Sequence, residues 1–250
     1  MRSGSHAFKV YRLRLSLLNG LHVLSQYLYR FFDILFSSLA IVLFSPLLLT
    51  VALVLKLSNE DEVLYRQARI GKGGKPFWVY KFTTMVKNSE SMGHGTITMK
   101  NDARVFPFGK VLRKTKINEL PQLFNILKGE MSIVGPRPLP MERYRAYSDA
   151  VKKSINQVPP GLSGIGSLIF RNEEEIFEAI DEDKVRFYDE VIAPYKGRLE
   201  QWFVANRSLY VYFMVLFLTI FVVLFPSVKI PYGRLFKGLP TLPSRLQGLI

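Results

Sequence analysis

The 250-residue chain contains no cysteine. That excludes disulfides, thiolate nucleophiles and cysteine-held zinc. Histidine is nearly as scarce: His6, His22 and His94 are scattered singly, so a metalloprotease-type zinc site has no ligands. Any metal must be a hard ion held by oxygen, such as Mg2+. Acid is in deficit too, with 20 Asp and Glu against 34 Lys and Arg and a net charge of +14. Such a balance points to an anionic partner: nucleic acid, a phosphorylated ligand or a lipid headgroup. The opening stretch carries Lys9, Arg12 and Arg14 among apolar residues, with no small-residue cleavage site after the next apolar run. It reads as a basic interfacial segment, not a removable signal peptide.

Charge is missing altogether from two stretches, Ile34 to Leu55 and Leu209 to Phe225. As a helix the first would be about 33 Å long, the thickness of a bilayer's hydrocarbon. Its centre holds Ser45-Pro46. Proline removes a backbone hydrogen bond and crowds the preceding turn, so a sharp break is expected, with Ser45 available to a freed carbonyl. Basic residues flank both ends, and the positive-inside bias then places both ends in the cytoplasm. A helix-break-helix that enters one leaflet and returns satisfies this, with Arg30 and Asp33 at headgroup level. The bland alternative is a spanning helix with a tolerated proline. The second apolar run is borderline for spanning; it is expected to lie in the interface, its basic tail (Lys229, Arg234, Lys237, Arg245) against anionic lipid.

The expected organisation is therefore a basic N-terminal segment (1–29), a re-entrant hairpin (30–57), a cytoplasmic catalytic domain (58–207) and an interfacial helix with a basic tail (208–250). The catalytic domain reads as α/β or α+β built on one sheet. Val63 to Arg69 and Phe77 to Phe82 are strand candidates, joined through Gly71-Lys72-Gly73-Gly74-Lys75-Pro76. That linker lacks P-loop spacing, which favours a simple hairpin turn over a phosphate cradle. Leu120, Leu123, Phe124 and Leu127 fall at helical spacing, Gly129 stops the pattern, and Asn118 is placed to cap it. The acids between Glu173 and Asp183 lack calcium-loop spacing and read as a solvated helical face.

Reactive groups are densest in Arg113-Lys114-Thr115-Lys116-Ile117-Asn118-Glu119 and in Gly135-Pro136-Arg137-Pro138. A carboxylate in a first helical turn stays ionised, which suits Glu119 to binding Mg2+ or attacking phosphorus, or simply to stabilising the helix. Arg137 between two prolines has a restricted backbone, the makings of a preorganised phosphate clamp or of a structural salt bridge.

Asp33 before the broken run at Ser45-Pro46, Tyr65-Arg66-Gln67-Ala68-Arg69-Ile70-Gly71, Tyr80-Lys81-Phe82, Asn101-Asp102-Ala103-Arg104, Asn118-Glu119-Leu120-Pro121-Gln122-Leu123, Lys128 to Pro138 and Pro160-Gly161-Leu162-Ser163-Gly164 stand in this order. Together they resemble the bacterial sugar transferase family, the monotopic polyprenol-phosphate phosphoglycosyl transferases, from about Arg30 to Leu218. The resemblance implies a re-entrant helix, a cytoplasmic catalytic domain at the bacterial inner membrane and its phospholipid, Mg2+ and a UDP-sugar donor. It also implies two steps: a carboxylate displaces UMP to give a phosphosugar enzyme, and polyprenol phosphate takes the phosphosugar. Glu119 and Asn118 then become the catalytic pair, with Glu119 at the metal. Arg137, Arg113, Lys81, Arg104, Gln67 and Arg69 become substrate-binding, and Ser45 and Pro46 the membrane break.

Two positions depart from the family pattern. The family usually carries Asp-Glu, with the Asp as nucleophile, where this chain has Asn118-Glu119, and Arg where it has Thr83. An amide cannot attack as a carboxylate does. Three readings follow: Glu119 is the nucleophile, the chain is a weakened or inactive relative, or Asn118 is a change that traps a state. The rivals to a transferase are a non-catalytic scaffold in polysaccharide assembly and a membrane-tethered nucleic-acid binder. The second is disfavoured because the basic residues cluster near apolar segments and no nucleic-acid motif is present. A homodimer is left open.

Overall fold

The computed structural model describes residues 3–58, 62–87, 89 and 102–250, with side chains from residue 24 onward. The side chains of His6, Lys9, Arg12, Arg14 and His22, together with residues His94 and Asn101, lie outside that set. One helix, α1 (Ser3–Leu57), runs through both the basic N-terminal segment and the first apolar run. Its stretch Leu24–Leu57 is long and apolar enough to cross a membrane. At Ser45-Pro46, where a break is expected, the helical assignment runs on through Pro46, so the two halves form one helix. The physical reason is local. Pro46 leaves the Val42 carbonyl without its usual N–H, and the Ser45 hydroxyl donates to that carbonyl at 2.8 Å.

Both halves of α1 pack on the same body. Tyr29 belongs to the main core, with Phe32, Phe36, Ala40 and Ile41 against it. Val51 and Leu55 form a second cluster with Phe82 and Leu112. Between these contacts Leu39, Val42, Leu43 and Leu49 are exposed. Arg30 and Asp33, expected at headgroup level, are both tied into the protein. Arg30 donates to the carbonyls of Ile126 (2.5 Å) and Leu127 (2.7 Å) in the last turn of a helix, where a cation also meets the negative end of the dipole. Asp33 is buried and accepts from Ser132 Oγ (3.0 Å), the Ile133 N–H (2.8 Å) and Tyr212 Oη (2.9 Å). A buried carboxylate is tolerable because these three donors replace its water.

The chain then forms β1 (Leu64–Ile70) and β2 (Pro76–Phe82), an antiparallel hairpin running from Leu64↔Phe82 to Ile70↔Pro76. Gly73 and Gly74 both adopt φ of 72°, the left-handed geometry that makes this turn a glycine turn. Next come α2 (Pro107–Lys114), α3 (Gln122–Lys128), β3 (Ser132–Val134), α4 (Met141–Arg145), α5 (Asp149–Ile155) and β4 (Gly161–Ser163). α6 (Ile165–Ile169), α7 (Glu173–Glu178), α8 (Lys184–Phe187), α9 (Ala193–Ala205) and α10 (Leu209–Leu224) complete the domain.

The mixed helix and strand class holds, but the single sheet does not. Among the described residues there are two two-stranded sheets, β1-β2 and a parallel β3-β4. Prolines at 136, 138, 159 and 160 border β3 and β4 and deny them the donors for a longer ladder. In α3 the buried face is Gln122, Leu123, Asn125 and Ile126, while Phe124, expected inside, is exposed. Asn125 supplies the reason: its Oδ1 accepts from the Tyr80 N–H at 3.1 Å and its Nδ2 donates to the Trp78 carbonyl at 2.7 Å. Those bonds turn the polar side chain inward onto β2.

The second apolar run forms α10, which buries Val211, Tyr212, Val215, Leu218 and Val222 on the domain and exposes Phe217, Ile220, Val223 and Leu224. This one-sided burial matches a helix that lies along an apolar medium. The basic tail, expected against anionic lipid, also packs on the domain. Phe236 and Leu246 are core residues, Trp202 Nε1 donates to the Lys237 carbonyl at 3.1 Å, and Arg245 pairs with Glu182 at 2.5 Å. Lys229, Arg234 and Lys237 remain exposed.

Candidate active site

Between α2 and α3 the chain turns through Lys116, whose φ of 60° is the left-handed region, and then through a 3-10 turn, Ile117–Glu119. Asn118 was expected to cap the helix; it does not. Backbone bonds Glu119 N–H to Lys116 (3.0 Å) and Leu120 N–H to Ile117 (3.1 Å) already satisfy the turn, and Pro121 stands at the start of α3. Asn118 is buried, its Oδ1 without a hydrogen-bond partner. Glu119 therefore precedes α3, and cations hold its charge where the helix dipole was expected to.

Lys81 Nζ lies 3.5 Å from Glu119 Oε1, and Arg137 Nη2 lies 3.8 Å from the same oxygen. Burial alone pushes the Glu119 carboxyl up, but Lys81, then Arg137 and Lys116, outweigh it and bring it down to about 2. Lys81 moves the other way, down to about 8: burial lowers it most, and Arg137, Arg69 and Arg113 oppose the help it gets from Glu119. Arg69 falls to about 10, through burial and then the charge of Arg137. Its guanidinium donates to Gln67 Oε1 and to the Pro138 carbonyl at 3.2 Å. Five cations, Lys81, Arg137, Lys116, Arg69 and Arg113, thus act on one ionised carboxylate, and like charges in a confined space favour a multivalent anion. Arg69, Val79, Lys81, Glu119, Gln122 and Arg137 line a small hollow. A second hollow of similar size shares Arg137 and runs past Gly71, Tyr144 and Asn156.

Arg137 is held by its backbone. Gly135 N–H donates to Ser163 (2.9 Å), Gly161 N–H to the Pro136 carbonyl (2.7 Å), and Ile70 N–H to the Leu139 carbonyl (2.9 Å). A Cβ on Gly161 would fall 2.1 Å from Gly135 N, so the two paired segments run too close there for a side chain. Glu200, buried on α9, is raised to about 7, by burial first, with the Arg137 backbone and the charges of Lys196 and Arg137 pulling the other way.

Of the expected site residues, Glu119, Lys81, Arg137, Arg69 and Gln67 come together. Arg113, lowered by burial, acts electrostatically on Lys81 and is itself supported by Glu174, Asp102 and Glu119. Arg104 stands apart from Glu119: its guanidinium is bidentate on Asp102 (2.9 and 2.7 Å) and donates to the Ser89 carbonyl at 3.1 Å. Ser45 and Pro46 lie in exposed helix. The acids of α7 are largely exposed as expected, except that Glu173 pairs with Lys196 at 2.6 Å. Glu200, Asn125 and Lys116 were missed. Glu200 sits 63 positions from Arg137 and carried no local signal, whereas a lysine before Ile117-Asn118 could not be seen to need φ above zero.

Among the described residues no group of three or more carboxylate or imidazole side chains could hold a metal. Mg2+ needs no such cage, because one or two protein oxygens with substrate phosphates and water suffice. The Glu119 carboxylate and the unpartnered Asn118 Oδ1, on consecutive residues, are hard oxygens of the right kind.

The family model for bacterial sugar transferases matches residues 24–226. The chain is 37% identical over 194 residues to the UDP-N-acetylgalactosamine-undecaprenyl-phosphate N-acetylgalactosaminephosphotransferase of Aeromonas hydrophila, covering 75% of this chain and 41% of that one. It is 37% identical over 169 residues to the UDP-glucose:undecaprenyl-phosphate glucose-1-phosphate transferase of Klebsiella pneumoniae, covering 66% and 35%. An uncharacterized sugar transferase, EpsL of Bacillus subtilis, is 34% identical over 191 residues, covering 76% and 84%. The chain thus spans well under half the length of the first two relatives.

Proposed function

Because the chain belongs to the bacterial sugar transferase family, we propose that it moves a sugar 1-phosphate from a UDP-sugar to polyprenol phosphate and releases UMP. The observation that carries this reading is the pairing of the one carboxylate of Glu119 with Lys81 at 3.5 Å and Arg137 at 3.8 Å, with the charges of Arg69 and Arg113 also acting on it. A donor diphosphate brings the negative charge that this group of cations lacks. Glu119 is the nucleophile, since its neighbour Asn118 cannot ionise. Its carboxylate oxygen attacks the sugar-bearing phosphorus, the bond to the bridging oxygen breaks, and UMP leaves with the electron pair. A phosphate oxygen of the acceptor then attacks the same phosphorus and frees the carboxylate. Arg137 and Lys81 neutralise the oxygens on which charge develops, where preorganised electrostatics matter most. Mg2+, when bound, would be held by Glu119 and the Asn118 amide oxygen with the donor's phosphates, supplying further neutralisation of charge at phosphorus.

The membrane arrangement belongs to the same proposal. We place α1 as a helix that enters one leaflet of the inner membrane and returns to the cytoplasmic face. The support is that one domain packs on both its halves, while the apolar middle is exposed. Cysteines placed before and after that middle, probed with an impermeant thiol reagent on intact cells, should both stay unlabelled; labelling of one alone makes α1 a span. No observation favours a scaffold without catalysis.

Radiolabelled UDP-sugar given to membranes with polyprenol phosphate should yield labelled lipid and UMP. Mass spectrometry after donor alone should find a hexose-phosphate adduct on Glu119, and Glu119→Gln should abolish both adduct and turnover. Full turnover by that variant would remove Glu119 from the nucleophile's place.

A further inference from the structure

The residues on either side of Arg137 are bonded one by one. Gly135 N–H and the Pro136 carbonyl are taken by β4, at 2.9 and 2.7 Å, and the Leu139 carbonyl accepts the Ile70 N–H of β1 at 2.9 Å. Pro138 is held differently: β1 reaches its carbonyl with a side chain, Arg69 Nη1, at 3.2 Å. Two consecutive residues of β1 thus hold two consecutive carbonyls, one through a guanidinium and one through the main chain. Pro138 is buried, and a buried carbonyl without a donor is costly. The guanidinium that meets this need is itself steadied. Gln67, two residues earlier and so on the same face of β1, accepts from Arg69 Nη2. Both partners are neutral oxygens, and the planar fork of arginine is what lets one side chain serve the two at once.

We propose that Arg69 is a positioning residue for the transfer reaction: it holds the Pro138 carbonyl, with Gln67 steadying it, so that the Arg137 side chain stays directed at Glu119 and the donor's diphosphate. The inference rests on the transferase reading above and deepens it. It gives Arg69 and Gln67, expected to bind the donor, the task of supporting the residue that does. The rings of Pro136 and Pro138 restrict the backbone on both sides of Arg137, so what is left to fix is where that stiff passage sits against β1. Arg137 itself cannot fix it. Its side chain is 46% exposed, and its 3.8 Å approach to Glu119 is long for a charge-assisted bond, so its aim is set by the backbone. Without the Arg69 fork the guanidinium of Arg137 can swing into the second hollow that it also lines.

The test uses the full chain in bilayer nanodiscs with undecaprenyl phosphate. It compares wild type, Arg69→Lys, Gln67→Leu, Arg137→Ala and the doubles Arg69→Lys/Arg137→Ala and Gln67→Leu/Arg137→Ala. Lysine keeps the charge and loses the fork. Positioning therefore predicts kcat/KM for the donor lowered about tenfold in Arg69→Lys, with Kd for UDP raised by a similar factor. Gln67→Leu, which leaves Arg69 in place, should cost less, about threefold. In the Arg137→Ala background each change should cost no more than about twofold, because both act through Arg137. Wild-type kcat/KM in Arg69→Lys would show that the site uses the charge alone, and losses that multiply with Arg137→Ala would make Arg69 a direct contact of the donor. Either result overturns the proposal. Should Arg69→Lys fail to fold, Gln67→Leu carries the same comparison. Kd for UDP, measured on the same set without turnover, keeps the two ideas separate. A wild type that releases no UMP defeats the transferase reading, whereas a UDP affinity that depends on Arg137 and is indifferent to Arg69→Lys and Gln67→Leu defeats the positioning role.

Discussion

Replacing Lys81 by methionine removes the ammonium nearest to Glu119 while keeping most of the side chain's volume. At 3.5 Å a unit pair in a medium of effective dielectric about 20 interacts by about 5 kcal/mol, or roughly three pKa units. Solvent still reaches 19% of each side chain and screens part of that, so about two units is the working figure. The Glu119 carboxyl, held at about 2 in the intact site, should then titrate at about 4 or higher, since burial now acts against fewer cations. Lys81 itself titrates at about 8, so the intact site loses a positive charge as pH rises through that value. The assay is kcat/KM for the UDP-sugar, followed as UMP release from about pH 4 to about pH 9; such profiles report groups of the free enzyme. Wild type should show a flat acid side and a decline above about 8. Lys81→Met should be slower throughout, lose the decline near 8 and gain an acid limb near 4. Two profiles that differ only in height would refute the coupling of these groups.

Three other outcomes follow from the packing. Asp33→Ala should destabilise the fold by about 3–6 kcal/mol, because three buried donors lose one acceptor, and a thermal melt in detergent within a few degrees of wild type would count against it. Lys116→Gly should raise stability by about 1 kcal/mol through relief of its left-handed φ, read as the urea midpoint. Lowering the pH from 4.5 toward 2 should erode the stability that Glu119 contributes: a carboxyl depressed in the fold is stabilising above its ordinary range, and protonation at lower pH withdraws that contribution.

The hairpin of β1 and β2 was legible because its turn glycines and its strand residues agree at short range. Gly129 likewise announced the end of α3 and takes φ of 85° there. The chemistry of Glu119 and Arg137 was legible as residue types, and their meeting at 3.8 Å was visible only through a family pattern. What could not be read was long-range satisfaction of polar groups. Asn118 looked like a cap because capping is a local rule, yet a 3-10 turn had already met that need. Asp33 and Arg30 looked like headgroup residues because the apolar run beside them dominates any hydropathy argument. Their partners, Ile133 and Ile126, are about a hundred positions away. Arg104 was read as a holder of phosphates or of a carboxylate, and the carboxylate it holds is that of its sequence neighbour Asp102.

Because α1 is gripped at Asp33 and again at Leu55, the stretch between the two grips is a fixed gauge length set by the protein. Inserting one residue near Val42 would rotate the far grip by about 100° and lift Val51 and Leu55 off Phe82. With α1 placed in one leaflet as proposed above, that leaflet has to adapt to this gauge, since the gauge cannot slide or tilt without breaking one of its clamps.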